Sequence, residues 1–239
     1  MVNKMKIIIL NCDFDPEEDT TGSALLKKYL GGVSEKIEVF NSYENVFPED
    51  DMLRSASHVV ITGSRSSVYE NHDWIRNMEF VVRKLDLISM PTLGICFGFQ
   101  IVAKALRGHV ESSGSFEEGF QKISLTREGL NNRIFQGFPR QFNVYQSHGD
   151  VVRALPEGSV ILAESNRQVE AFAVKNFYCV QFHPEILPET AAIMALRDNM
   201  PLERIFNSVG SDYTLPTGIL FNFMSSMENN PSCARRKHA

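Results

Sequence analysis

The sequence predicts an α/β protein: an open, mostly parallel sheet with helices on both faces, plus a small antiparallel sheet. Two observations carry this. From Lys6 to Arg107, short apolar runs alternate with stretches of helical period, and apolar strands that do not alternate with polar residues are buried on both faces. Strands and helices in alternation build parallel β-α-β units. From Gly108 to Ala173 the pattern changes to short alternating segments separated by Gly and Pro, which predicts antiparallel strands flanking the main sheet.

In chain order, Lys6 to Asn11 is a first buried strand, and Thr21 to Leu30 is a helix stopped by Gly31-Gly32. Lys36 to Phe40 is a second strand, and His58 to Thr62 a third, ending in a turn at Gly63. Trp74 to Leu85 has helical period, and Pro91 to Ile95 is a strand followed by the amphipathic stretch Ile101 to Arg107. The antiparallel segments are Lys122 to Leu125, Gln141 to Tyr145, Ser159 to Ala163 and Ala171 to Val174. The β-branched and aromatic run from Phe177 reads as a further buried strand. Pro188 to Asn199 and Thr217 to Met227 are closing helices. There is no repeat, linker or low-complexity segment, so residues 1–228 are expected to form one domain, with 229–239 a disordered tail.

Composition narrows the function. With 239 residues, 43% of them apolar, the chain can bury one sizeable core. A net charge of −5 gives no footprint for nucleic acid, and the basic cluster Arg235-Arg-Lys237 falls in the tail. No apolar stretch approaches the ~18 residues of a membrane span, and the run Ile7 to Leu10 is too short for a signal peptide. Four cysteines in a chain of this length do not make a disulfide framework. Cys12 and Cys179 sit in apolar runs as inert core residues, and Cys233 lies in the tail. A reducing, cytoplasmic compartment is expected. No Cys or His pair has metal-ligand spacing, and no cofactor is expected.

Cys96 is the exception among the cysteines. Gly94 and Gly98 bracket it in Pro91-Thr-Leu-Gly-Ile-Cys-Phe-Gly-Phe-Gln100, the layout of a nucleophile elbow between strand and helix. A Cβ at either glycine would crowd the approach of the two elements. The helix N-terminus favours a thiolate, and the Phe97 N–H is left free for a developing oxyanion. Downstream, His183 and Glu185 follow the last strand, separated by Pro184. In an extended segment, residues two apart share a side, so the carboxylate can orient the imidazole. Cys96, His183 and Glu185 thus form a nucleophile, a base and its orienter. His148 competes as the base. His58, His72, His109 and His238 show no partner pattern.

Gly94-Ile-Cys-Phe-Gly-Phe-Gln100 and Phe182-His-Pro-Glu185 together resemble the class I glutamine amidotransferase (glutaminase) family, and most nearly its stand-alone members like the amidotransferase part of GMP synthase. Further segments agree. Val60-Ile-Thr-Gly-Ser-Arg-Ser-Ser-Val68 resembles the family's oxyanion loop, and Tyr145-Gln-Ser-His-Gly-Asp150 its Ser-His-Gly-Asp segment. Glu118-Gly119 falls where the family has an acidic-glycine pair. The resemblance runs from about Ile7 to Glu185 and implies a flavodoxin-like fold. It implies oxyanion donors at Phe97 and at Ser64 or Gly63, and substrate contacts at Gln100, Ser147, His148, Gly149 and Asp150. The family usually has proline where this chain has Arg65. That departure loosens the expected turn and sets a cation at the pocket mouth, as a substrate contact or as a solvated side chain.

The activity implied is hydrolysis of glutamine to glutamate, with ammonia passed to a separate synthase. No Walker-type ATP motif or room for a synthase domain is present, so an acceptor protein is the expected partner. The same triad also suits a stand-alone γ-glutamyl peptidase. A third reading, a catalytically silent regulatory subunit, is opposed by the complete Cys96, His183 and Glu185 set. A DJ-1-like cysteine protein is opposed by the His-Pro-Glu arrangement.

Overall fold

The computed structural model describes residues 5–14, 22–34, 36–206 and 212–225. Strand and helix alternate through β1 (Lys6–Asn11), α1 (Gly22–Leu30), β2 (Lys36–Asn41), α2 (Asp50–Ser55) and β3 (His58–Ile61). The alternation continues with α3 (Asp73–Leu87), β4 (Thr92–Ile95) and α4 (Phe97–Ala105). Then come β5 (His109–Leu125), α5 (Arg127–Leu130), β6 (Gln141–Ala154), β7 (Val160–Glu164), β8 (Val169–Val174) and β9 (Phe177–Val180). The helices α6 (Pro188–Arg197), α7 (Leu202–Ile205) and α8 (Gly218–Ser225) close the described chain.

These strands form one sheet in the order β2-β1-β3-β4-β9-β8-β7-β5-β6. From β2 to β9 every pairing is parallel. Beyond β9 every pairing is antiparallel. The long β5–β6 ribbon pairs with the neighbouring strand β7 at just Ser124–Glu164 and Leu125–Ala163, which makes it almost a sheet of its own.

The inner strands of the parallel half, β1, β3, β4 and β9, are mostly apolar because both faces are covered, whereas the edge strand β2 carries Lys36 and Glu38 and is only partly buried. Ile8, Leu10, Val59 and Ile61 pack with Met78, Val82 and Leu85 of α3 and Ile101 of α4. Ile7, Ile9 and Val60 face the other way, onto Leu26 and Leu30 of α1 and Phe223 of α8. Each such side chain, fully buried, contributes roughly 1.5–3 kcal/mol. A third cluster of Leu25, Phe120, Tyr145, Ile186, Ala191 and Ile205 ties α6 and α7 to the β5–β6 ribbon.

Every long element expected from the sequence is present. The short helices α2, α5 and α7 were not anticipated, because four to six residues carry too little period to register. β5 begins at His109 rather than Lys122, and β6 runs on to Ala154 rather than ending at Tyr145. The added stretch of β5 is rich in Ser, Glu and Gly, and backbone pairing to β6 makes it a strand. Thr21, the end of the closing helix at Ser226 and Met227, and the tail with Cys233, Arg235-Arg-Lys237 and His238 lie outside the described residues. Among those described, no helix is long and apolar enough to cross a membrane.

Candidate active site

The ends of β1, β3, β4 and β9 meet at the carboxyl edge of the parallel strands, where ligands bind in open α/β sheets. Asp13, Gly63, Cys96 and His183 follow these four ends and line one cavity of about 490 Å³.

At the end of β4 the backbone of Cys96 takes φ 51° and ψ −100°, a conformation that costs a non-glycine residue on the order of 1–3 kcal/mol. Three hydrogen bonds hold it: Cys96 N–H to Val180 O (2.9 Å), Gly98 N–H to Thr62 O (3.2 Å) and Gln100 N–H to Cys96 O (3.1 Å). The flanking glycines serve close approach, as expected. A Cβ on Gly94 would sit 2.6 Å from Gly98 O, and one on Gly98 would strike the carbonyl of Ile61. Cys96 caps α4, and its Sγ lies 3.8 Å from Ser147 O. Burial pushes the Cys12 and Cys179 thiols far up, leaving them protonated in the core.

His183 is fixed by its N–H to Tyr145 O (2.9 Å), a single antiparallel bridge to β6. Its Nδ1 lies 2.8 Å from Glu185 Oε1, and its ring and Cys96 both pack against the Gly63 backbone. Burial opposes the imidazolium, but the Glu185 carboxylate, and after it the neighbouring Cys96, outweigh it and hold the His183 pKa well above its ordinary value. The expected pair therefore meets, though by a different route. β9 ends at Val180, and His183 and Glu185 face each other across a turn closed by Ile186 N–H to His183 O (3.4 Å). Glu185 is 1% exposed, and its Oε2 has no hydrogen-bond partner among the described residues. A Cβ on Gly22 would lie 3.5 Å from Glu185 Oε1, so the positive end of α1 abuts this carboxylate.

The Phe97 N–H opens α4 and has no acceptor within the helix. Gly63 and Ser64 line the cavity across from it, and a Cβ on Gly63 would be 3.6 Å from Cys96 Cβ. The same Cβ would be only 2.7 Å from His183 Cε1, so the ring packs directly on the bare Gly63 backbone. The turn that lacks proline is pinned by side chains instead. Arg65 N–H donates to Asp13 Oδ1 (3.2 Å), and Ser66 N–H donates to Ser64 Oγ (3.1 Å). The Arg65 guanidinium stands at the cavity rim and donates to Phe14 O (3.2 Å).

Gln100 is buried on the cavity wall, its Nε2 donating to Gln181 Oε1 (3.2 Å). Residues 147–150 lie on β6 and line the cavity, but their side chains alternate. Ser147 opposes Glu118 on β5, and His148 opposes Glu117. His148 Nδ1 is 3.2 Å from Asp150 O, which only accepts, so Nδ1 carries the proton. Nε2 then accepts from Gln168 Nε2 (3.1 Å). Burial drives the His148 pKa down to about 4, so the ring is neutral with both nitrogens engaged. Asp150 accepts from Tyr69 OH (2.7 Å). The cavity also takes in Phe116, Glu118, Met194, Arg197 and Asp198, which were not singled out as site residues. Gln181, two residues before His183, is the one a closer look at the motif could have found.

This arrangement can activate a thiol, stabilise an oxyanion and shuttle a proton. The family model described as glutamine amidotransferase class-I matches residues 20–200. The chain belongs to the class I glutamine amidotransferase family. Among curated relatives of this amidotransferase-family chain, γ-glutamyl peptidase 4 of Arabidopsis thaliana is 33% identical over 161 residues, 65% of this chain and 64% of the peptidase. The glutamine-hydrolysing GMP synthase of Petrotoga mobilis is 34% identical over 169 residues, 66% of this chain but 31% of the synthase. The match therefore spans less than two thirds of the one and less than a third of the other. In fold, the chain is similar to a glutamine amidotransferase from Thermotoga maritima, with a TM-score of 0.79 at 20% identity over 95% of this chain and 99% of that one.

Proposed function

We propose that this chain hydrolyses the γ-glutamyl amide bond of glutamine through a thioester on Cys96, as a single domain over residues 1–228. The observation that carries the reading is the His183 ring, hydrogen-bonded to the buried Glu185 and lining the same cavity as Cys96, with the bare Gly63 backbone packed against both. The Cys96 thiolate attacks the γ-carbonyl carbon, and the carbonyl electrons move onto oxygen, held by the N–H groups of Phe97 and of Ser64 or Gly63. The His183 imidazolium protonates the amide nitrogen, the C–N bond breaks and ammonia leaves. His183 then takes a proton from water, which attacks the thioester. Collapse expels the thiolate and releases glutamate. Glu185 holds the imidazole and balances its charge in both steps.

In this reading the ammonia goes to a separate synthase, the proposed partner. The second reading, a stand-alone γ-glutamyl peptidase, is favoured by the cavity itself. A volume of about 490 Å³ is in the range that takes drug-sized ligands, more than glutamine alone requires. Similarity to a γ-glutamyl peptidase over 64% of that protein's length supports it too.

Glutamate release would be measured from glutamine, several γ-glutamyl dipeptides and glutathione, with Cys96→Ala as the blank. Turnover of glutamine alone supports the amidotransferase reading, and selective turnover of γ-glutamyl peptides the peptidase. Turnover surviving in Cys96→Ala would remove the thioester mechanism. A wild-type protein that neither turns over this panel nor is labelled at Cys96 by a glutamine-analogue inhibitor would leave the regulatory-subunit reading.

A further inference from the structure

β6 ends the strand order, and the loop after β9 closes against its free edge. In that loop Gln181 N–H donates to Glu170 O of β8 (2.8 Å), and His183 N–H donates to Tyr145 O of β6 (2.9 Å). The segment that carries the base is therefore slung between two strands that do not pair with each other. The separation of those strands sets where the His183 ring stands.

One side-chain link spans the same gap. The Glu170 carboxylate, fully buried, accepts from Gln146 Nε2 at Oε2 (2.7 Å) and from Gln168 Nε2 at Oε1 (3.4 Å). Gln146 is also fully buried. It sits between Tyr145, which anchors His183, and Ser147, whose carbonyl is 3.8 Å from Cys96 Sγ. Gln168 in turn donates to His148 Nε2 (3.1 Å). The backbone pairing of the ribbon to β7 ends at Ser124, opposite Gln141 and short of Gln146. Main chain and side chain of Glu170 thus hold the His183 loop and the cavity strand at once. The link is not a cheap one. Both donors are neutral carboxamides, and burial pushes the Glu170 carboxyl up from its ordinary range. A methionine of similar length would pack there without that cost, so the link is what the carboxylate adds.

We propose that Glu170 is a positioning residue: its carboxylate clasps β6 to β8 through Gln146 and so sets His183 and the Ser147 carbonyl in their places beside Cys96. This rests on the hydrolase reading above. Glu170 does not line the cavity, and it acts through the strand and the loop that it joins. The chemistry of the link makes it exchangeable, because a carboxylate only accepts whereas a carboxamide both accepts and donates. In Glu170→Met the link is lost. In Gln146→Glu two carboxylates face each other across the gap and repel. In the double variant Glu170→Gln with Gln146→Glu, the carboxamide oxygen at 170 accepts from Gln168 and its nitrogen donates to the carboxylate at 146. The clasp is remade with its partners reversed.

The test measures kcat and KM of these variants on the best substrate of the panel, beside a thermal melt of each. Rates are taken per site labelled to completion at Cys96 by a glutamine-analogue inhibitor, so that loss of folded protein does not count as loss of rate. Glu170→Met and Gln146→Glu should each lose on the order of 10- to 100-fold in kcat per labelled site, the scale of a displaced reacting group. The double variant should recover most of that loss. Glu170→Gln alone should stay near wild type, because Gln146 can turn its amide and present Oε1. If Glu170→Met does not fold, the comparison of Gln146→Glu with the double variant decides. A role confined to stability would lower the melting temperature and leave kcat per labelled site unchanged, and that result overturns the positioning role while leaving the hydrolase standing. A double variant no faster than Gln146→Glu does the same. A wild type that turns over neither glutamine nor a γ-glutamyl dipeptide overturns the hydrolase itself, and the role of Glu170 with it.

Discussion

Gly63→Ala separates a glycine required by the site from glycines required by the fold. The added Cβ would lie 2.7 Å from His183 Cε1, where carbon atoms normally rest about 3.5–4.0 Å apart. The ring must therefore retreat by roughly 1 Å, and it is held by Glu185 on one nitrogen and by its backbone bond to Tyr145, so it retreats only by shifting away from Glu185 or from its place beside Cys96. A displacement of about 1 Å at a reacting group costs about 100-fold in rate, or about 2.7 kcal/mol in the barrier. Gly63 has no positive φ, so alanine fits the backbone and the fold should survive. Gly98→Ala is the contrast, since its Cβ strikes the backbone carbonyl of Ile61, which cannot give way cheaply. The assay is kcat/KM for the best substrate of the panel, beside a thermal melt of each variant. Gly63→Ala should lose about 100-fold in kcat/KM with its melting temperature nearly kept, whereas Gly98→Ala should lose melting temperature first. A Gly63→Ala protein with wild-type kcat/KM would refute the claim that His183 works from its seat against this turn.

His183→Ala should lower kcat by about 10⁴-fold, whereas His148→Gln should cost far less; the reverse ranking in a rate comparison would make His148 the base. His58 offers a test of stability. Its ring is 1% exposed, packs edge-on to Phe223, and burial depresses its pKa from 6.5 to about 4. The unfolded chain binds that proton first, so stability is full above about pH 6.5, falls towards pH 4 and then levels off. At about 1.4 kcal/mol per pH unit, the loss is about 3 kcal/mol. Urea midpoints against pH should show it, and His58→Phe should flatten much of the slope; His148 has the same sign and accounts for a remainder.

The elbow was legible because its requirement is local. Two glycines at fixed distance from Cys96 announce a close approach of strand and helix, and the structure puts carbonyl oxygens where their side chains would be. The pairing of His183 with Glu185 was legible in its residues but not in its geometry, since Pro184 turns the chain where an extended strand was expected. Two features depended on distant residues that no local pattern encodes. The turn at Arg65 is held by Asp13, and the Gly63 backbone seats a histidine from the far end of the chain. Glu118 was noticed as half of the Glu118-Gly119 pair, but the direction of its side chain was hidden for a third reason. Between Ser112 and Glu117 the register of β5 slips, with residues 113–116 opposite Gly149, so alternation cannot be counted through it. Which of two adjacent glutamates faces the cavity follows only from the pairing with β6.

The two histidines nearest Cys96 show how partners, and not burial, set their roles. Burial works against a charged ring in both. His148 is surrounded at its nitrogens by a backbone carbonyl and a carboxamide, neutral groups that return nothing when the ring takes a proton, so it stays neutral. Glu117 across the strand favours the cation, but it is already paired with Arg167 and does not prevail. His183 has a buried carboxylate on one nitrogen and the sulfur on the other side, so desolvation strengthens the attraction that it would otherwise oppose. One ring is therefore a strut for the strand that lines the cavity, and the other is the group that can hold a proton for a leaving amine. The assignment needs only the charge of the atoms at each ring nitrogen.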